Sequence, residues 1–194
     1  MRNDLLIDDI LLKERTAIHG NIDPKLLYPE LKVAQDTYIF PSVGSALYFK
    51  LQDLIHDNSI NDAGNVKYKT LIDLYIVDAL IYYALAELPT TLSYQFTNKG
   101  VIRKQGQDTD LPSMSDLIDL SNKYRNKAEF YDNRLKKYLL QNTTLFPEYL
   151  NPGNGIDTVY PDQKSFTMPV YLGDEHGNDC PYPGGWDKNR PYGQ

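Results

Sequence analysis

The spacing at which apolar residues return along the chain predicts a mostly helical protein with one interruption. Residues 1–22 are ambiguous, because "LLIDDILLKERTAI" fits either a short helix or an extended lead-in. Asp23-Pro24 then supplies an N-cap acceptor followed by proline at the first helical position. A helix is expected from there to about Phe40, with Pro29 marking a restart or kink. In "FPSVGS" (40–45) a sharp corner is expected, where Pro41 stops one helix, Gly44 frees the backbone and Ser45 caps the next. Leu47, Leu51, Leu54 and Ile55 make one apolar stripe on that next helix. After the polar loop 57–65, a long helix is expected from about Val66 to Leu88, stopped by Pro89.

The period then changes. Leu92, Tyr94 and Phe96 alternate with polar residues, Asn98-Lys99-Gly100 carries turn chemistry, and Val101-Ile102 start a return strand. The resulting hairpin, 91–104, is marginal alone in water and has to lean on the bundle or on a neighbouring chain. Past a linker with Pro112, Ser113 or Ser115 caps a last long helix that ends near Asn142. Met114, Leu117, Ile118, Ser121, Tyr124, Ala128, Tyr131, Leu135, Tyr138 and Leu139 recur on one face of it. From Thr143 the composition shifts: seven of the 12 prolines and seven of the 12 glycines fall in this last stretch, which excludes a long helix. The expected fold class is therefore mainly α, a small bundle of about four helices with an inserted β-hairpin. Residues 1–142 form the helical domain and 143–194 an extended C-terminal arm.

Composition adds an interaction theme. The chain has 16 Tyr against six Phe and one Trp, and tyrosine suits half-buried surfaces because its large ring keeps a polar tip. The arm is rich in aromatics, among them Tyr160, Phe166, Tyr171, Tyr182 and Trp186, yet too poor in apolar area to order itself. Anchors at intervals along a proline-stiffened strip suit a segment lying on another surface: its own domain, another copy, or a different protein. The expected contact residues are Tyr94, Phe96, Val101 and Ile102 on the hairpin with those five aromatics.

Charge and candidate chemistry mostly exclude. A net charge of −6 argues against a binder that works by neutralising phosphates. The single cysteine, Cys180, excludes an internal disulfide framework and fits a reducing compartment. Acids in "MRNDLLIDDILLKERT" stand where a signal peptide needs an apolar run, so no export signal is expected. Asp73 and Asp78 inside the apolar run 71–88 make a membrane span unfavourable. His19, His56 and His176 fall in no metal-binding frame, and "GDEHGND" (173–179) lacks the ligand alternation of a calcium loop. "NPGNGID" (151–157) lacks the Lys-Ser/Thr ending of a phosphate loop, and no serine sits in a nucleophile elbow. No catalytic residue, metal or cofactor is expected.

Three segments, in order, carry a resemblance. "LLYPELKVAQDTYIFPSVGSALYFKLQDLI" (26–55) has Tyr38, Ile39, Pro41, Gly44, Leu47, Tyr48 and Leu51; "LPTTLSYQFTNKGVIRK" (88–104) and "AEFYDNRLKKYLLQN" (128–142) follow. Together, over roughly residues 15–142, they resemble a head–tail connector (adaptor) family of tailed phages and prophages of Bacteroidetes, including crAss-like phages. The resemblance implies a virion protein that forms a ring, commonly of twelve copies, on the portal protein. Such a ring, assembled in the host bacterial cytoplasm and placed at the head–tail interface, extends the DNA channel and offers the next tail component a docking face. Double-stranded DNA would slide through without specific binding, which an acidic wall favours. Two rival readings stand beside it: a monomeric binding or regulatory module whose tail packs on its own bundle, and a hydrolase whose carboxylates meet only in three dimensions.

Overall fold

Helices begin where a side chain satisfies the first free N–H groups. A computed structural model describes residues 4–98, 100–103, 112–151, 153 and 158–162. The expectations for 104–111, for 154–157 and for the arm beyond 162, with Phe166, Tyr171, His176, Cys180, Tyr182 and Trp186, lie outside the described residues. Asp8 caps α1 (Asp9–Arg15) by accepting from Leu11 N at 2.8 Å, so the ambiguous start holds a short helix behind an extended lead-in. Asp23 caps α2 (Pro24–Ala34) by accepting from Lys25 N at 3.0 Å. Ser113 opens α7 (Met114–Gln141) with a reciprocal capping box: its hydroxyl accepts from Asp116 N, and the Asp116 carboxylate accepts from Ser113 N.

Two expected proline stops are corrected. The helix runs through Pro29, then through a π-helical turn (Gln35–Ile39) into α3 (Phe40–Val43), with Pro41 in its first turn. The wide turn, closed by Phe40 N donating to Gln35 O, changes the carbonyl register just where a proline ring would crowd the residue four back. Gly44, at φ 78 and ψ 161, is the true stop. α4 (Ser45–His56) follows and buries Leu47, Leu51 and Leu54. Ser45 does not cap it as expected, because a distant segment takes that role (below).

The second correction concerns Pro89. After a 3-10 turn (Ala63–Asn65), α5 (Val66–Leu71) passes through a π-helical turn (Ile72–Ile76) into α6 (Val77–Ser93), which carries Pro89 inside it. Pro89 is buried, and hydroxyls tie the last turn: Ser93 Oγ donates to Pro89 O at 2.6 Å and Thr90 Oγ to Glu87 O at 3.0 Å. The strands β1 (Tyr94–Thr97) and β2 (Gly100–Arg103) come next, antiparallel, with Tyr94 opposite Arg103 and Thr97 opposite Gly100.

α6 packs between α2 and α7, and the core around it holds Leu27, Leu31, Ile39, Leu80 and Leu135, none of them exposed. Beside it, Gln35 spends its buried amide on the N-terminal lead-in, accepting from Leu6 N at 2.8 Å and donating to Asp4 O at 3.0 Å and to Tyr48 OH at 2.7 Å. Side-chain amides thus supply the backbone partners that an isolated extended segment lacks.

The compact unit does not end at Asn142. A single turn, α8 (Pro147–Leu150), sets Phe146 and Tyr149 into the core with no exposed surface. Farther on, Val159 O accepts from Ser45 N at 3.0 Å and Asp162 N donates to Pro41 O at 2.9 Å. One short stretch therefore caps the start of α4 and the end of α3 together. Residues up to 163 belong to this unit, so the expected boundary at 142 divides its core.

Candidate functional site

Tyrosine spacing sets the register of the two longest helices. Tyr75 stacks on Tyr138 (centroids 3.9 Å apart, planes at 15°), and Tyr82 stacks on Tyr131 (5.4 Å, 8°). The seven-residue steps 75–82 and 131–138 keep these rings on one stripe of each antiparallel helix. Cations roof the stripe: Arg134 lies 4.9 Å from the Tyr75 ring centre and Lys127 5.4 Å from that of Tyr82. Several further tyrosines end on carboxylates, Tyr38 on Glu87 and Tyr68 on Glu148, each at 2.8 Å. Much of the tyrosine excess is therefore spent inside the chain, holding half-buried seams.

The same antiparallel pairing continues at the other end of the helices: Ser121 Oγ donates to Ala86 O at 2.6 Å, which sets the first turns of α7 beside the last turns of α6. The hairpin starts beside the first turn of α7, with Tyr94 OH 3.9 Å from Met114 Sδ. Successive strand residues point to opposite faces, and Val101 and Ile102 are 56% and 48% exposed. Neither face of β2 is covered at these positions. Met114 and Ile118 are exposed beside it, although helical spacing placed them on the core face with Leu117, which is buried. Periodicity identifies a face of a helix but not how much of it the neighbouring elements cover.

Of the other expected contact residues, Tyr94 is half-buried and Tyr160 is 71% exposed. Phe96 contributes its backbone to the ladder opposite Val101, and its side chain lies outside what is described. Phe166, Tyr171, Tyr182 and Trp186 lie outside the described residues. The structure brings Tyr94, Val101 and Ile102 to one end of the fold with Met114 and Ile118, which sequence reasoning missed. It also exposes Val66, Leu140, Leu145 and Leu150 toward the opposite end of α7.

Titratable groups are engaged in packing. Asp78 pairs with Arg15 at 3.3 Å, an inter-helix contact. Asp132 is buried and held by Lys136 at 2.8 Å, which also reaches Asp162 at 3.7 Å and so ties the 158–162 stretch to α7. Burial, reinforced by the carboxylates of Asp132 and Asp162, pushes the Tyr149 hydroxyl up and keeps it neutral. Among the described residues no three His, Cys, Asp or Glu side chains gather as metal ligands, and no helix is long and apolar enough to cross a membrane.

A family model described as a family of unknown function (DUF6712) matches residues 39–159. The match runs from the Pro41–Gly44 corner to the Val159 cap, more than half of the 194 residues, and the chain belongs to this family. No curated protein and no solved structure matches the chain.

Proposed function

We propose that this DUF6712 member is a structural virion protein, a head–tail connector subunit that forms a ring on the portal protein of a tailed phage. The ring extends the DNA channel and gives the next tail component its attachment face, while double-stranded DNA passes without specific binding. The observation that carries the reading is the bare hairpin. A two-stranded sheet with Val101 and Ile102 open on opposite faces is poorly supported within one chain and suits burial between chains. The resemblance to connector adaptors, carried by 26–55, 88–104 and 128–142 in order, supports the same function, as does the absence of any recognised catalytic pattern from the sequence. The arm beyond 162 adds aromatic anchors for a neighbouring subunit or the portal, and the protein acts without a cofactor.

Native mass spectrometry of the full chain tests this. One closed oligomer of a single size is expected. A Val101→Ser, Ile102→Ser double variant should fall to a monomer that keeps the helical circular-dichroism signal of wild type, because both side chains are exposed in the single chain. The second reading, a monomeric binding module with its tail on its own bundle, is favoured by one observation: Phe146, Tyr149 and the 158–162 stretch already pack there. It predicts a monomer at every concentration and no response to the hairpin variant.

A further inference from the structure

Building on the ring reading, we infer that a cationic stripe on α7 receives the acidic, aromatic segment 171–187 from the C-terminal arm of a neighbouring copy. Lys123, Lys127, Phe130, Arg134 and Lys137 follow one another at steps of four and three residues, so they share one face of α7. All five are exposed, and the row runs about 21 Å at 1.5 Å per residue. Asp116 and Asp119 come before the row begins. Within it, Glu129 and Asp132 project from other sides of the helix, and Asp132 is buried. On α6, Asp78 is already paired with Arg15, and Asp73, two residues before Tyr75, stands on a different side from the stacked ring.

Among the described residues none of these four cations is paired with a carboxylate, whereas Lys13, Arg15, Lys32, Arg125 and Lys136 all are. Lys127 and Arg134 are held over the rings of Tyr82 and Tyr75 instead. Like charges one turn apart repel on a helix, so the row is unfavourable until an anion lies against it. Phe130 decides which anion. It is 67% exposed in the middle of the row, and the phosphate edge of duplex DNA offers it no apolar surface. The net charge of −6 also repels DNA from the rest of the chain. Segment 171–187 offers both contacts: Asp174, Glu175, Asp179 and Asp187 with no Lys or Arg, and Tyr171, Tyr182 and Trp186 among them. The eight residues 163–170 give it a reach of up to about 28 Å beyond Asp162, and a tethered segment arrives at high effective concentration. Each copy carries one stripe and one arm, so the contact is complete when every copy gives an arm and takes one, as in a closed ring.

The test uses the full chain, assembled from equal amounts of unlabelled and isotope-labelled protein and treated with a carbodiimide, which joins a carboxylate to an amine with loss of water. Amide links from Asp174, Glu175 or Asp179 to Lys123, Lys127 or Lys137 are expected, with labelled and unlabelled peptides joined to each other. A full-length Lys123→Glu, Lys137→Glu variant should self-associate at least about tenfold more weakly than wild type, as should Asp174→Lys, Glu175→Lys. Combining all four changes should restore most of the loss, because the charges are then exchanged rather than removed. Links found only within one chain would overturn the exchange between copies. A stripe variant that assembles like wild type but holds duplex DNA less tightly would overturn the arm as occupant and give the stripe to phosphates. Closed rings without these links would overturn this inference alone, whereas a chain that is monomeric at every concentration would overturn the ring reading with it.

Discussion

Replacing Phe146 with alanine is expected to lower the free energy of unfolding by about 3–5 kcal/mol. The ring has no exposed surface, and it packs edge-on against Tyr68 (5.8 Å) and Tyr138 (6.0 Å). Those partners come from α5 and α7, so the ring closes the gap between two helices and its loss opens a cavity that neither can fill alone. A domain of this size is stable by about 5–15 kcal/mol, which makes the loss a large share of the total. Leu145→Ala, one residue earlier and partly exposed, should cost less than about 1 kcal/mol. Urea unfolding of the two variants beside wild type measures the difference. The same reasoning separates two truncations: a chain ending at 162 should unfold cooperatively, whereas one ending at 142, without Phe146 and Tyr149, should not. A Phe146→Ala chain within about 1 kcal/mol of wild type would remove the stretch after Asn142 from the core.

The Gly44 corner should be nearly as sensitive. Its backbone, φ 78 and ψ 161, lies in a region that only glycine occupies freely, so any side chain there costs about 1–3 kcal/mol in strain alone. A Cβ would also sit 2.9 Å from Pro161 Cδ, in the stretch that caps α3 and α4. Gly44→Ala therefore has two separable penalties. In a Pro161→Ala background the ring contact is removed while the strain and the 3.2 Å approach to the backbone N of residue 161 remain, so the penalty of Gly44→Ala should shrink without vanishing. Gly64→Ala is the control, because a Cβ there meets nothing within 4 Å and substitution should be neutral or mildly stabilising. Equal melting temperatures for Gly44→Ala and Gly64→Ala would contradict the role given to the corner.

These two sites mark where sequence reasoning stopped. Helix starts were legible because a cap is local: Asp23 before Pro24, and Ser113 three residues before Asp116, state their function in adjacent letters. The stripe of Leu47, Leu51 and Leu54 was legible for the same reason. Helix ends at Pro41 and Pro89 were not. A proline's cost depends on the turn before it, and the π-helical turn at Gln35–Ile39 is written in no single residue. Phe146 and Tyr149 sit in a stretch whose composition reads as an arm; composition counts prolines and glycines but not what two aromatics can reach. Met114 and Ile118 follow the helical period of the core face, yet at the start of α7 both are exposed and only their neighbour Leu117 is buried. The candidate surface thus combines two residues read from strand alternation, Val101 and Ile102, with others whose exposure depends on how the neighbouring elements pack.

Electron-microscopic imaging of the purified full-length protein tests the central claim most directly. The account predicts closed rings with a single cyclic symmetry and a central opening wide enough for duplex DNA. Single particles of one chain at every concentration, with the segment 163–194 protected from protease on the same molecule, would contradict it and identify a self-contained module.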